Sequence, residues 1–246
     1  MVIKKLNLAA KPRHGEAPAG AGGIEMYLKR IFTLMFGAVA VTGIASWLTM
    51  NFGLDLIINF QRGGFTPAFY IMMFGGLGLS IWAQVRAFHL KPAVGALILA
   101  IYSVIIGVVL TPLVFSALMV NPASIWQAFF LAAAMFACMA LFGYKTSKDL
   151  GFLGILLFMG MIGLILVGAA SFIWPLGSAF ATIVCAIGVL VFALFTAYDM
   201  QFLKKAYAAG GTEIQKNQLA VLGALHMYIA FIAMFQYILG LLNMRR

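Results

Sequence analysis

Apolar residues come in long unbroken runs along this chain. They lack the two-residue alternation of a half-buried strand and the narrow stripe of a surface helix. Charged residues mark where the runs stop. Arg30 and Asp55 enclose 24 uncharged residues, and Arg62 and Arg86 enclose 23. Each run suffices for one helical crossing of a bilayer, which takes ~20 residues. Lys91 and Lys145 enclose 53 uncharged residues, enough for two helices, and Thr111-Pro112 and Asn121-Pro122 punctuate that stretch. Asp149 and Asp199 enclose 49, with Trp174-Pro175-Leu176-Gly177-Ser178 as the turn, and Lys216 and Arg245 enclose 28. The predicted spans are 28–51, 66–86, 93–115, 124–145, 151–173, 178–203 and 219–243. Pro112 is expected to kink or end the third, which a packed bundle tolerates. The predicted fold class is all-α, a polytopic membrane protein of seven transmembrane helices.

Composition agrees with that pattern. The chain is 64% hydrophobic and 9% charged, with a mean hydropathy of +1.06. A soluble fold of 246 residues cannot hide so much apolar surface. The net charge of +10 first suggests a nucleic-acid partner, but the basic residues fall at the ends of apolar runs. No nucleic acid is expected, and the bilayer is the expected partner.

With seven spans, Lys4, Lys5, Lys11, Arg13, Lys29, Arg30, Arg86, Lys91, Lys145, Lys148, Lys204, Lys205 and Lys216 share one side, 13 of the 16 basic residues. Arg62, Arg245 and Arg246 lie on the other. The positive-inside rule then puts the N-terminus in the cytoplasm. A six-span reading with a re-entrant last segment would return Arg245 and Arg246 to the cytoplasm. Residues 1–23 read as a flexible cytoplasmic tail and 24–246 as the membrane domain. The short apolar stretch Leu6–Ala10 is too brief for a signal-peptide core. No predicted loop has room for a soluble catalytic domain.

Within the spans, Gly75, Gly76, Gly78, Gly160, Gly163, Gly168 and Ala132-Ala133-Ala134 read as packing residues that let helices approach closely. Cys138 and Cys185 each sit inside an apolar run with no CxxC spacing, and read as small packing residues.

Few polar groups interrupt the spans. Of the six acidic residues only Asp199 falls inside one. An Asp at the bilayer centre costs about 2.5–3.5 kcal/mol on insertion scales. Asp199 lies five residues before Lys204, roughly 7 Å inside the boundary at 1.5 Å per residue. An interfacial acid reaching water, or pairing with a nearby lysine, is the plain reading. The short side chain and the C-terminal end of its helix both work against that reading. A basic partner is the natural expectation. Arg86 is preferred for its bidentate fork, with His89 as the lesser choice. His226 sits inside the last span at a similar depth, either as a neutral hydrogen-bonding histidine or as a titrating partner of Asp199. Gln84, Gln127, Tyr198, Gln201 and Gln236 are lesser candidates, better suited to interhelical hydrogen bonds.

Catalytic patterns are missing. No HExxH, GxSG, Walker or GxGxxG stretch occurs, and the last span carries no lysine for a retinal Schiff base. The chain is therefore not expected to be an enzyme, nor to hold a cofactor or a metal site.

The segment Ala193-Leu-Phe-Thr-Ala-Tyr-Asp-Met-Gln-Phe-Leu-Lys-Lys205 resembles the Tyr-Asp-x-Gln-x-Ile/Leu-Lys stretch ending the sixth span of the Bax inhibitor-1 (transmembrane Bax inhibitor motif) family. Met26-Tyr27-Leu28-Lys29-Arg30, Thr42-Gly43-Ile44-Ala45, Ala132–Phe136, Gly143–Thr146 and Lys148-Asp149-Leu150 look like its bacterial branch. The likeness covers about residues 25–243. It implies six helices around a central seventh, and a place in the bacterial inner membrane. It also implies a pH-sensitive calcium leak, attributed to facing aspartates on the sixth and seventh spans with an arginine latch from the second. Carried over, these give Asp199 and Arg86, with His89 allowed by spacing. The second aspartate is absent. The family's last span reads Leu-x-Leu-Tyr-Leu-Asp-Phe-Ile-Asn, whereas Leu225–Ala233 places Ala230 at the Asp position and Ala233 at the Asn position. One carboxylate also supplies few of the six to eight oxygens calcium takes.

Two functions follow as expectations. One is a pH-modulated leak for ions, calcium among them, using Asp199 with Arg86 or His226. The other is a non-conducting membrane regulator, with a membrane protease or another quality-control protein as partner. His226 lies one turn before Ala230 on the same helix face and is expected to stand in partly for the missing acid.

Overall fold

In hydrocarbon every backbone N–H and C=O must find a partner within the protein, so apolar runs of this length resolve into helices. The computed structural model describes residues 21–59, 64–86, 91–171 and 177–244. His89, Arg62, Arg245, Arg246, Trp174-Pro175-Leu176 and the tail up to residue 20 lie outside the described residues.

Helix α1 spans Ala21–Phe52 and is followed by the single turn α2, Leu54–Ile57. A two-residue antiparallel ladder follows, β1 (Ile58–Asn59) on β2 (Gly64–Phe65), with Ile58 opposite Phe65. Then come α3 (Pro67–Arg86), α4 (Pro92–Val120), α5 (Ala123–Lys145), α6 (Gly151–Ser171), α7 (Ser178–Ala208) and α8 (Glu213–Met244). Seven of these helices, all but α2, are long and apolar enough to cross a membrane. The fold is all-α and polytopic. The ladder and α2 were not foreseen, because four paired residues leave no periodic signal.

Four expected boundaries are corrected, beginning with the first span, which starts at Ala21 rather than residue 28. The third span does not stop near residue 115, since α4 runs through Pro112 to Val120. A proline removes one N–H donor, and resuming the helix beyond it costs less than leaving several backbone groups bare in lipid. The sixth span continues past residue 203 to Ala208. The last begins at Glu213 rather than 219, because Thr212 and Gln215 form a capping box. The Gln215 amide donates to Thr212 Oγ1 at 3.3 Å and the Thr212 amide donates to Gln215 Oε1 at 3.0 Å. Gly210 (φ 82°) and Gly211 (φ 136°) supply the left-handed turn before it, which side-chain-bearing residues rarely adopt. Glu213 in the first turn complements the helix dipole and pairs with Lys216 at 3.0 Å.

Burial separates the last helix from the rest. In the most apolar window of α8, 78% of residues are buried, against 11–33% in the other six spans. The other six spans leave most of their apolar window exposed, as helices against lipid do, whereas most of the α8 window is buried.

Two compact units divide the chain, one of Met1–Val109 with Phe202–Tyr228, the other of Leu110–Gln201 with Ile229–Arg246. Inside the first, α1 and α4 meet at Gly107. A Cβ there would stand 2.6 Å from the Thr42 carbonyl oxygen and 2.7 Å from Ala45 Cβ. Inside the second, aromatic rings set the packing of α5 on α8. Phe231 meets Phe129 and Phe136 edge-on at 5.7 and 5.8 Å between centroids.

Candidate functional site

The polar groups of the first unit gather on α8. Tyr228 is fully buried, and its hydroxyl lies 2.6 Å from Thr42 Oγ1 of α1. Thr42 Oγ1 is also 2.9 Å from the Ala38 carbonyl and 3.1 Å from the Ser103 carbonyl of α4. Carbonyls only accept, so the single Thr42 hydrogen goes to one of them and the Tyr228 phenol donates to Thr42. Ser103, fully buried, donates to the Leu99 carbonyl at 2.7 Å. Tyr102 meets Tyr228 edge-on at 5.8 Å. Three helices are thus tied together by hydroxyls.

Sequence reading passed over Thr42, Ser103 and Tyr228, because isolated hydroxyls in apolar runs resemble ordinary packing residues. The signal was the pairing of small polar residues with a tyrosine in spans that must satisfy every donor internally. Replacing Tyr228 with Phe is expected to lower stability by about 1 kcal/mol. In a Thr42→Val background the same change should cost clearly less. A double-mutant cycle in thermal unfolding reads the difference, and additive costs would mean the hydrogen bond contributes nothing.

His226 lies on α8, and its Nε2 is 3.2 Å from Gln84 Oε1 of α3. An amide oxygen accepts, so Nε2 carries the proton in this contact. Gln84 and Arg86 are exposed, the latter in the last turn of α3. His226 and Gln84, two groups singled out from sequence, are therefore brought together.

Asp199 belongs to the second unit, on α7, and is 2% exposed. Its neighbours in sequence have mechanical roles. Gln201 donates from Nε2 to the Lys148 carbonyl at 2.7 Å and accepts from the Leu150 amide at 3.0 Å, so both ends of its amide clamp the turn before α6. Tyr198 covers Gly154 of α6, where an added Cβ would come within 2.5 Å of the ring. Thr196, fully buried, returns its hydroxyl to the Phe192 carbonyl at 2.9 Å. Ala230, 1% exposed, lies in the same unit as Asp199. Arg86 and His226 fall in the first unit.

The family model described as Inhibitor of apoptosis-promoting Bax1 matches residues 24–246. The chain belongs to the Bax inhibitor-1 family. Among its relatives, RP147 of Rickettsia prowazekii is 30% identical over 225 residues, covering 91% of this chain and 92% of that protein. Inner membrane protein YbhL of Escherichia coli K12 is 30% identical over 237 residues, covering 96% and 98%. A protein of Caulobacter vibrioides is 31% identical over 224 residues, covering 89% and 88%. Against the Bax inhibitor-1 pattern quoted above, Tyr198-Asp199-Met200-Gln201 is the matching segment and holds the buried acid. Ala230, where the resemblance implies a second acid, is 1% exposed.

Proposed function

We propose that this Bax inhibitor-1 family protein is a pH-modulated ion leak of a bacterial inner membrane, with calcium as a candidate ion and the N-terminus in the cytoplasm. The supporting observation is Asp199, a carboxyl 2% exposed on a helix apolar enough to cross a bilayer. Ionisable groups within membrane spans are expensive to keep and commonly mark ion or proton pathways. Asp199 is the gating group in this reading. Arg86 is its counter-group by family likeness, and His226 is the alternative that the sequence offers. No catalytic step is assigned to the chain. The inner-membrane placement rests on the name of YbhL, and the orientation on the asymmetry of lysine and arginine.

Calcium flux in proteoliposomes between about pH 6 and pH 8 tests this proposal. Wild-type protein should leak in a pH-dependent way, and Asp199→Asn should flatten that dependence by severalfold. Equal flux from the two proteins across the range would remove Asp199 from any pathway.

A second reading is favoured by Ala230. An enclosed methyl at the family's second acidic position suits a non-conducting membrane regulator that acts through a protein partner, such as a membrane protease. Such a protein should carry a stable membrane partner through purification and pass no calcium at any pH.

A further inference from the structure

A groove opens in the first unit where the end of α3 and the start of α4 meet α8. Its walls are mostly apolar, made by Ala83 of α3, Ile98 of α4, and Val221 and Leu225 of α8, with the Gln218 amide among them. Lys91, exposed, stands at its mouth. No acidic side chain lines it among the described residues. The walls belong to helices long and apolar enough to cross a membrane. Gly95 also lines the groove, and a Cβ there would already approach Val221 Cγ1 to 2.9 Å, so a larger side chain has to push into the groove. A cationic mouth above a hydrocarbon-lined floor complements one kind of neighbour in a bilayer.

We propose that this groove holds an anionic phospholipid, its phosphate at Lys91 and the upper part of one acyl chain against Ala83, Ile98, Val221 and Leu225. The site lies beside the contact between Gln84 and His226. Gln84 follows Ala83 directly, and His226 follows Leu222, another lining residue, by one turn on the same face of α8. A seated lipid would therefore brace the α3–α8 contact from its open side. A single ammonium at the mouth favours phosphatidylglycerol over zwitterionic phosphatidylethanolamine, because the latter carries its own competing amine. Lipid binding at this groove does not depend on whether the protein conducts.

Native mass spectrometry of the full chain, released from nanodiscs containing equal phosphatidylglycerol and phosphatidylethanolamine, provides the test. Wild-type protein should retain phosphatidylglycerol in severalfold excess. Lys91→Ala should lose the headgroup preference while still retaining lipid. Gly95→Leu, which fills the floor, should retain severalfold less lipid of either kind. Helical circular dichroism and the elution profile establish that each variant is folded. If Gly95→Leu fails that check, Ile98→Trp replaces it as the filling variant, with the same expectation. Unchanged selectivity in Lys91→Ala, or unchanged retention in the folded filling variant, would overturn the proposal and leave only general lipid association.

Discussion

Gly143→Ala is expected to be the most damaging single-methyl change in this protein. A Cβ at position 143 of α5 would lie 2.2 Å from the carbonyl oxygen of Ala197 on α7, and 2.8 Å from its carbonyl carbon and its Cα. All three obstacles are backbone, so no rotamer change relieves them. One helix must move away, and the contacts beside Ala197, itself 1% exposed, open with it. Intrinsic preference runs the other way, since alanine favours a helix interior over glycine by about 1 kcal/mol. The overlap must first overcome that gain. Overpacking of a core by extra methylenes costs about 1–3 kcal/mol, and a backbone obstacle belongs at or above the upper end. A fall in Tm of on the order of 10 °C, or loss of folded protein on extraction, is expected. Gly163→Ala on α6 is the control. A Cβ there meets nothing within 4 Å, so its Tm should match or slightly exceed that of the wild type. Equal effects at the two positions would show that close approach of α5 and α7 at Gly143 does not matter.

That contrast also marks how far the sequence could be read. Gly143 and Gly163 both lie in apolar runs, and of the two the sequence pattern picks out only Gly163 as a packing residue. Only the crossing of α5 and α7 separates the one that is indispensable from the one that is not. The spans themselves were legible, because length without charge is a strong signal and lipid admits few alternatives to a helix. Boundaries erred where local chemistry overruled hydropathy. Thr212 and Gln215 start α8 early among polar residues, and α4 carries on through Pro112. The candidate site was legible in part. Asp199 was conspicuous as a charge in the wrong solvent, and it is indeed buried. Gln201 beside it looked equally polar, but whether an amide holds a turn or faces a pathway depends on what stands opposite. In this fold those partners are the backbone of Lys148 and Leu150, which pattern alone cannot bring near. The Thr42–Tyr228 link was hidden for the same reason, since 186 residues separate its two ends.

Ala230→Asp carries the largest functional expectation. Position 230 is 1% exposed on α8 and shares a compact unit with Asp199. A carboxylate there has to be buried, at a cost of about 3 kcal/mol near the centre of a span. The variant should therefore be clearly less stable than the wild type at neutral pH. A neutral carboxylic acid is far cheaper to bury than its anion, so the deficit should shrink as the pH is lowered. Ala230→Asn, of similar size but uncharged at every pH, should show a deficit that does not vary with pH. Flux then separates the two functional readings. If the chain is a leak weakened by loss of its second acid, Ala230→Asp should raise calcium flux severalfold and steepen its pH dependence, while Ala230→Asn should do neither. If the chain acts only through a partner, neither variant should pass calcium, and the stability difference alone would remain. Equal flux gains from the aspartate and the asparagine would trace the leak to disrupted packing around α8, because size is what those two side chains share and charge is what they do not.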